Sequence, residues 1–73
     1  MARNEVLSEV TGKVWKIEAA VGETVQADAP VLIVESMKME IPVLSPDAGR
    51  LVEIRVAEGD AVEEGQVVAV LES

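Results

Sequence analysis

The chain has 73 residues, of which 49% are hydrophobic, and a formal net charge of -8 at pH 7. A chain of this length forms one small domain and leaves little room for a deep catalytic cleft. It contains no cysteine, which excludes disulfides and thiolate metal sites, and no histidine, which removes the usual general base and the commonest metal ligand. The negative charge opposes nucleic-acid binding, because nucleic-acid-binding surfaces are basic. We therefore expect neither an independent enzyme nor a metal-binding protein.

An internal repeat of 37 residues organises the whole sequence. When the chain is aligned with itself at this spacing, 11 of 35 pairs are identical. The identical pairs include Val6 with Val43, Ser8 with Ser45, Gly12 with Gly49, Gly22 with Gly59 and Val25 with Val62. Two copies are too few for a solenoid, which needs about three repeats. We therefore expect the halves, residues 2–36 and 39–73, to close one core with pseudo-twofold symmetry, so that residues 1–73 form a single domain.

Four short strands are predicted in each half. In chain order they span residues 4–7, 13–20, 24–26, 31–36, 40–43, 50–57, 61–63 and 67–72. The second strand of each half alternates apolar and polar residues, as half-buried strands do, and the apolar runs 31–34 and 67–71 have the pattern of buried strands. No segment has a convincing helical period. The sequence thus predicts an all-β fold, a flattened antiparallel barrel or sandwich of two four-stranded sheets (a barrel-sandwich hybrid).

Two single residues within these elements carry further expectations. Asp28 aligns with Gly65 in a turn and is expected to adopt a left-handed backbone, which Asp tolerates better than most residues. Trp15, the chain's single aromatic residue, aligns with Val52 and is expected to pack in the core or at a sheet edge. A role for Trp15 as an aromatic shelf for a bound ring stays open as an alternative.

The junction between the halves is the least ordinary part of the sequence. Met37 and Lys38 lie between the two copies, where the alignment predicts a tight hairpin turn. Met-Lys is a poor sequence for a two-residue turn, which favours Asn-Gly or Asp-Gly. Exposed methionines suit adaptable contact with a partner. Met37 and Met39 are expected either to make such contacts or to pack back onto the end of the sandwich.

The junction also carries a family resemblance. Glu35-Ser36-Met37-Lys38-Met39-Glu40 resembles the biotin-attachment motif Glu-Ala-Met-Lys-Met of biotin carboxyl carrier proteins. Segments 12–17, 21–25 and 56–62 resemble further biotinyl-domain segments at matching distances from the lysine. Within this biotinyl/lipoyl domain family, the chain is most similar in size and form to the free-standing biotin/lipoyl attachment protein type.

Several positions depart from the family pattern. Ser36 stands where alanine is usual, Asp28 stands where a turn glycine is usual, and residues 8–12 replace a more proline-rich segment. The protruding thumb insertion of some acetyl-CoA carboxylase carriers is missing, which puts in doubt any biotin contact that such an insertion would make.

The resemblance implies a non-catalytic carrier that is modified on Lys38. A biotin protein ligase would make biotinyl-AMP, and the ε-amine of Lys38 would attack its acyl carbon to form an amide. Met37 and Met39 would belong to the same cofactor-binding site, and Glu35 and Glu40 would dock on a basic ligase surface. The attached biotin would carry a carboxyl group between biotin carboxylase and carboxyltransferase subunits.

Two alternatives to the biotin carrier remain. The first is a lipoyl carrier, or a dual acceptor, in which a lipoyl ligase attaches lipoate to Lys38, although lipoyl domains typically have Asp-Lys-Ala at the turn. The second is a structural or adaptor sandwich in which Lys38 is an unmodified, solvated turn residue. Residues 1–10 resemble neither a secretory signal nor a membrane span, so a cytoplasmic protein without membrane or nucleic-acid partners is expected, monomeric in isolation.

Overall fold

Two antiparallel sheets form the protein. The computed structural model describes residues 2–73, and over this range it contains eight strands and no helix. The strands are β1 (Arg3–Leu7), β2 (Gly12–Ile17), β3 (Thr24–Val25), β4 (Pro30–Ser36), β5 (Met39–Leu44), β6 (Gly49–Ile54), β7 (Ala61–Val62) and β8 (Val67–Glu72). Their orders are β1-β8-β6-β3 in one sheet and β5-β4-β2-β7 in the other. The predicted all-β fold of two four-stranded sheets is therefore confirmed. Residues 2–73 include no helix long and apolar enough to cross a membrane.

Hydrogen bonds between the halves occur in pairs separated by 37 residues. They include Ser8 N–H to Gln66 O (2.9 Å) with Ser45 N–H to Ala29 O (2.8 Å), and Gly22 N–H to Leu51 O (2.7 Å) with Gly59 N–H to Val14 O (2.8 Å). The short strand β3 of the first half also pairs with β6 of the second, and β7 of the second half pairs with β2 of the first. Each sheet therefore has two central strands from one half and two edge strands from the other.

The core between the sheets consists of aliphatic side chains, as the valine-rich sequence predicts. Val31, Leu32 and Val34 on β4 are fully buried, and residues 68–71 on β8 are at most 3% exposed. The core also contains Val6, Val14, Ala19, Val25, Val43, Leu51 and Val62. Burial of this apolar surface is what holds a chain without disulfides together.

Trp15 does not pack in the core, which was the first of its two expected positions. Its side chain is 49% exposed, and Val14 occupies the core position instead. The pairing of β2 with β4 shifts register between Val14 and Lys16, so Trp15 is the extra residue of a β-bulge. A bulge places two residues opposite one and breaks the alternation on which the prediction relied. The sheet-edge alternative fits the structure, because the short edge strand β7 pairs only with Gly12 and Lys13 of β2 and does not reach Trp15.

The second strand of each half is also shorter than predicted, ending at Ile17 and Ile54 rather than at residues 20 and 57. The N–H groups of Glu18 and Ala19 both donate to the carbonyl of Val31, at 2.9 and 3.1 Å, instead of continuing a regular ladder. The next N–H, that of Ala20, donates to a carboxylate oxygen of Glu23 at 3.1 Å. The apolar alternation continues past the strand because Ala19 is still buried.

The expected left-handed conformation of Asp28 is confirmed. Its φ is 67°, close to the 85° of the equivalent Gly65. The N–H of Asp28 donates to the carbonyl of Ser45 at 2.9 Å, and the N–H of Gly65 makes the equivalent bond to Ser8 at 2.8 Å. The turn thus keeps its geometry with a residue other than glycine.

Candidate functional site: the Met37-Lys38 turn

The hairpin between β4 and β5 is closed by Met37 and Lys38. Ser36 and Met39 form the last cross-strand pair, so the connection contains two residues. Their φ angles are 51° and 67°, and two successive left-handed residues are the mark of a type I′ turn. The tight hairpin predicted at the junction is therefore present, with Lys38 at its second turn position.

This turn is built from residues that do not favour it. A left-handed conformation costs a residue other than glycine roughly 1–2 kcal/mol. Met37 is 92% exposed and Met39 is 63% exposed, so burial of their side chains does not offset that cost. The 92% exposure of Met37 also excludes packing of its side chain back onto the end of the sandwich. Selection for something other than stability explains an exposed Met-Lys-Met sequence at a type I′ turn.

Two side-chain hydrogen bonds fix the base of the hairpin. The Ser36 hydroxyl donates to the carbonyl of Thr11 at 2.8 Å. The Thr11 hydroxyl in turn accepts from the N–H of Glu64 at 3.1 Å. The hairpin is thereby connected to the segment before β2 and to the turn after β7. The serine that departs from the family's usual alanine thus has a visible contact.

Gly12 allows β2 to approach the hairpin closely. A Cβ atom at this position would overlap the carbonyl oxygen of Glu35 and would lie 2.8 Å from a methyl carbon of Val34. The equivalent Gly49 is less crowded, since its nearest neighbour would be the carbonyl oxygen of Glu72 at 3.0 Å. Close packing on this side supports β4 immediately before the turn, which holds the Lys38 backbone in a fixed position relative to the sheets.

The charges around the turn are predominantly negative. Glu35 and Glu40 form a directly opposed cross-strand pair, and both are exposed. Like charges in this arrangement disfavour the pairing of the strands. Neither glutamate, nor Lys38, takes part in any of the ion pairs found among residues 2–73. The turn therefore presents one exposed amine between two exposed carboxylates, a pattern suited to a partner with basic groups.

The site that the sequence predicts is therefore assembled by consecutive residues of one hairpin, residues 35–40. Sequence reasoning missed the support from Thr11, Gly12 and Lys13, which β2 and the preceding residue bring beside β4. Lys13 is the cross-strand neighbour of Glu35. The shared glycine of the repeat, Gly12 with Gly49, was the one signal in the sequence that could have pointed to this contact.

The chemistry available at the turn is that of a primary amine. Without histidine or cysteine, the chain could bind a metal ion mainly through its carboxylates. Among residues 2–73, no three of them lie close enough together to hold one. An ammonium group has no lone pair, so a lysine amine attacks an acyl carbon only after it has lost a proton. A partner enzyme would have to remove that proton, since a solvated turn supplies no general base of its own. The turn is thus suited to be modified and not to catalyse.

Comparisons with known proteins agree with these features. A family model described as "Biotin-requiring enzyme" matches residues 2–71. The Biotin/lipoyl attachment protein of Bacillus subtilis is 38% identical over 60 residues, and the match covers 82% of each chain. The urea amidolyase of Saccharomyces cerevisiae is 40% identical over 68 residues, which are 93% of this chain and 4% of that protein.

A solved structure shows the same arrangement of strands. The crystal structure of the Kluyveromyces lactis urea carboxylase superposes with a TM-score of 0.93 at 40% identity. The match covers 99% of this chain and 6% of that one. The chain thus corresponds to a small part of the two large proteins and to most of the attachment protein.

Proposed function

The chain belongs to the biotin/lipoyl attachment domain family, and from this premise we propose that Lys38 carries covalently attached biotin. Residues 1–73 are then a single biotinyl domain, and the protein is a carrier and not an enzyme. The observation that carries this proposal is the type I′ turn, in which two non-glycine residues adopt left-handed backbones at an exposed hairpin tip.

The turn accounts for the specificity that a modifying enzyme requires. A lysine on a flexible loop would present its amine in many orientations, and lysines on strands would be confined to the sheet surface. At the second position of a two-residue turn, the amine projects from the end of a rigid hairpin. The exposed Met37 and Met39 flank it with adaptable apolar surface, and Glu35 and Glu40 add negative charge. We assign the methionines to the cofactor site and the glutamates to recognition by a basic biotin protein ligase.

The attachment reaction uses one atom of this chain. The deprotonated Nζ of Lys38 attacks the acyl carbon of biotinyl-AMP, the C–N amide bond forms, and the bond to the AMP phosphate oxygen breaks. The ligase supplies the base and the activated acyl group. The carrier contributes the nucleophile and holds it in a fixed position.

The carrier function follows from the tether. Attached biotin would accept a carboxyl group at a biotin carboxylase and release it at a carboxyltransferase. This chain keeps the root of the arm fixed, so that each encounter is effectively intramolecular, with a local concentration of order mM. The urea carboxylase and urea amidolyase relatives contain the matching region within much larger chains. Carboxylase subunits are accordingly the partners that we propose. A monomeric state in isolation and a cytoplasmic location stay predictions.

Lipoate is the second candidate for the group on Lys38. The observation in its favour is the name of the Bacillus subtilis relative, a Biotin/lipoyl attachment protein matched over 82% of its length. The Met-Lys-Met sequence at the turn favours biotin. The third reading, an unmodified structural sandwich, leaves the cost of the Met37-Lys38 turn unexplained.

Intact-mass measurement tests the proposal directly. The folded protein is incubated with ATP, biotin and a biotin protein ligase, alongside a Lys38→Ala variant and a parallel reaction with lipoyl ligase and lipoate. We expect a gain of one biotinyl group in the wild type and none in the variant. A gain only with lipoyl ligase would replace biotin by lipoate. No gain with either ligase, from protein shown to be folded by circular dichroism, would refute a carrier role.

A further inference from the structure

A shallow pocket lies beside the base of the hairpin, on the outer face of the β5-β4-β2-β7 sheet. It has a volume of about 280 Å³ and is lined by Lys13, Val14, Trp15, Glu35 and Gly59. The aromatic residue in this lining is Trp15, the bulged residue of β2, which is 49% exposed. A half-exposed tryptophan on a sheet surface is costly to leave without a contact, because indole is the largest apolar side chain.

The pseudo-symmetric position shows that this pocket is not required by the fold. The residues equivalent to Lys13, Trp15 and Glu35 are Arg50, Val52 and Glu72. Arg50 and Glu72 form an ion pair of 3.7 Å across β6 and β8. Lys13 and Glu35 are paired in the same register, yet they form no ion pair within the described range, residues 2–73. The first half, whose strand β4 leads to the Lys38 turn, therefore differs from the second: it has a tryptophan beside a lysine and a glutamate that form no ion pair with each other.

This set of groups complements a bicyclic ureido ring. The ring of biotin has an apolar body, two N–H donors and one carbonyl acceptor. The indole of Trp15 supplies an apolar face, the Glu35 carboxylate supplies acceptors, and the Lys13 ammonium supplies a donor. We propose that this Trp15 pocket holds the ring of biotin attached to Lys38 when the arm is not engaged by an enzyme. The inference rests on the proposed function and adds a docking site on the carrier itself.

The arm is long enough to reach the pocket. Trp15 lies beside Val34, and β4 continues for two residues from Val34 to Ser36 before the turn begins. Lys38 leads into β5, which lies on the opposite side of β4 from β2. At about 3.3 Å per strand residue and about 4.8 Å per strand spacing, the Cα atoms of Lys38 and Trp15 are roughly 14 Å apart. About eleven bonds join the Lys38 Cα to the ring of attached biotin, which gives an extended length of roughly 14 Å.

Weak affinity is sufficient for such a site, and it is also desirable. Because the tether provides a local concentration of order mM, a docking constant of the same order leaves roughly half of the molecules docked. The ring then remains available to carboxylase active sites. Docking would cover the exposed face of Trp15, and this provides a readout that does not depend on carboxylase activity.

Trp15 is the chain's single tryptophan, so its fluorescence reports on the pocket alone. Wild-type protein is converted completely to the biotinyl form, as verified by intact mass, and the Stern–Volmer constant for acrylamide quenching is compared with that of unmodified protein. We expect the constant to fall by roughly a third, in line with half occupancy of the pocket. A Lys38→Gln variant, which removes the lysine charge without adding a ring, should match the unmodified protein.

Charge-matched variants identify the pocket. In biotinylated Glu35→Gln the fall in quenching should be at least halved, because the ring loses an ionised acceptor. In biotinylated Glu63→Gln, which makes the same charge change outside the pocket, the fall should equal that of the wild type. Equal quenching of biotinylated and unmodified wild type, with the mass gain present, would overturn the docking site and leave the carrier function intact. Equal loss in the Glu35 and Glu63 variants would also overturn it. Absence of the mass gain would refute the carrier function and this inference together.

Discussion

The contact between Gly12 and the hairpin strand gives the sharpest test of how the turn is supported. In Gly12→Ala the new Cβ would overlap the Glu35 carbonyl oxygen and lie 2.8 Å from Val34 Cγ1. Inserting a methyl group into a packed interface costs about 1–3 kcal/mol. Replacement of glycine by alanine also lowers the entropy of the unfolded chain, which stabilises by about 0.4–1 kcal/mol. Neither Gly12 nor the equivalent Gly49 has a positive φ, so alanine brings no backbone strain to either position.

Gly49→Ala is the matched control, because the same substitution at the equivalent position brings Cβ no closer than 3.0 Å to its neighbours. The entropy change is common to both variants and cancels in their comparison. The remaining difference is about 1–2 kcal/mol, and in a domain of this size each kcal/mol shifts Tm by roughly 4–8 °C. We therefore expect Gly12→Ala to melt roughly 10 °C below Gly49→Ala.

Thermal unfolding followed by circular dichroism measures both midpoints, and the rate of biotinylation shows whether the turn is also disturbed. Gly12→Ala should be biotinylated more slowly than Gly49→Ala at a temperature where both are folded, since only Gly12 packs against the strand that leads to Lys38. Midpoints within about 2 °C of each other would refute the reasoning, because they would mean that β2 and β4 relax freely around the added methyl.

Three further predictions concern the hairpin itself. Replacement of Met37 or Met39 by alanine should slow biotinylation while Tm changes by less than about 2 °C, because neither side chain is buried; a lowered Tm with an unchanged rate would contradict this. Ser36→Ala removes one partly exposed hydrogen bond and should cost about 0.5–1 kcal/mol in urea-induced unfolding, and an unchanged midpoint would show that the bond contributes nothing. Glu40→Lys should raise the KM of a basic ligase several-fold with little effect on kcat, whereas Glu63→Lys should not, and equal effects would indicate general electrostatics.

Much of the architecture is readable in the sequence because the repeat is strong. Eight strands, their turns and the left-handed Asp28 follow from aligning one half with the other, and the position of the hairpin follows from where the alignment breaks. The strand ends at Ile17 and Ile54 could not be predicted, because apolar alternation continues after the backbone has left the ladder. The carbonyl of Val31 decides that boundary by accepting from both Glu18 and Ala19.

The sequence by itself determined the candidate attachment residue, since the motif around Lys38 and the seam of the repeat are both local in the chain. Tertiary structure alone decided the surroundings of the turn. Trp15 lies outside the core because a β-bulge, set by pairing with β4, shifts Val14 inward. Gly12, Lys13 and Glu35 meet because β2 and β4 pair in a register that brings together residues more than twenty positions apart in the chain. Alternation along a strand records which residues are apolar, and only the partner strand fixes which face each residue occupies.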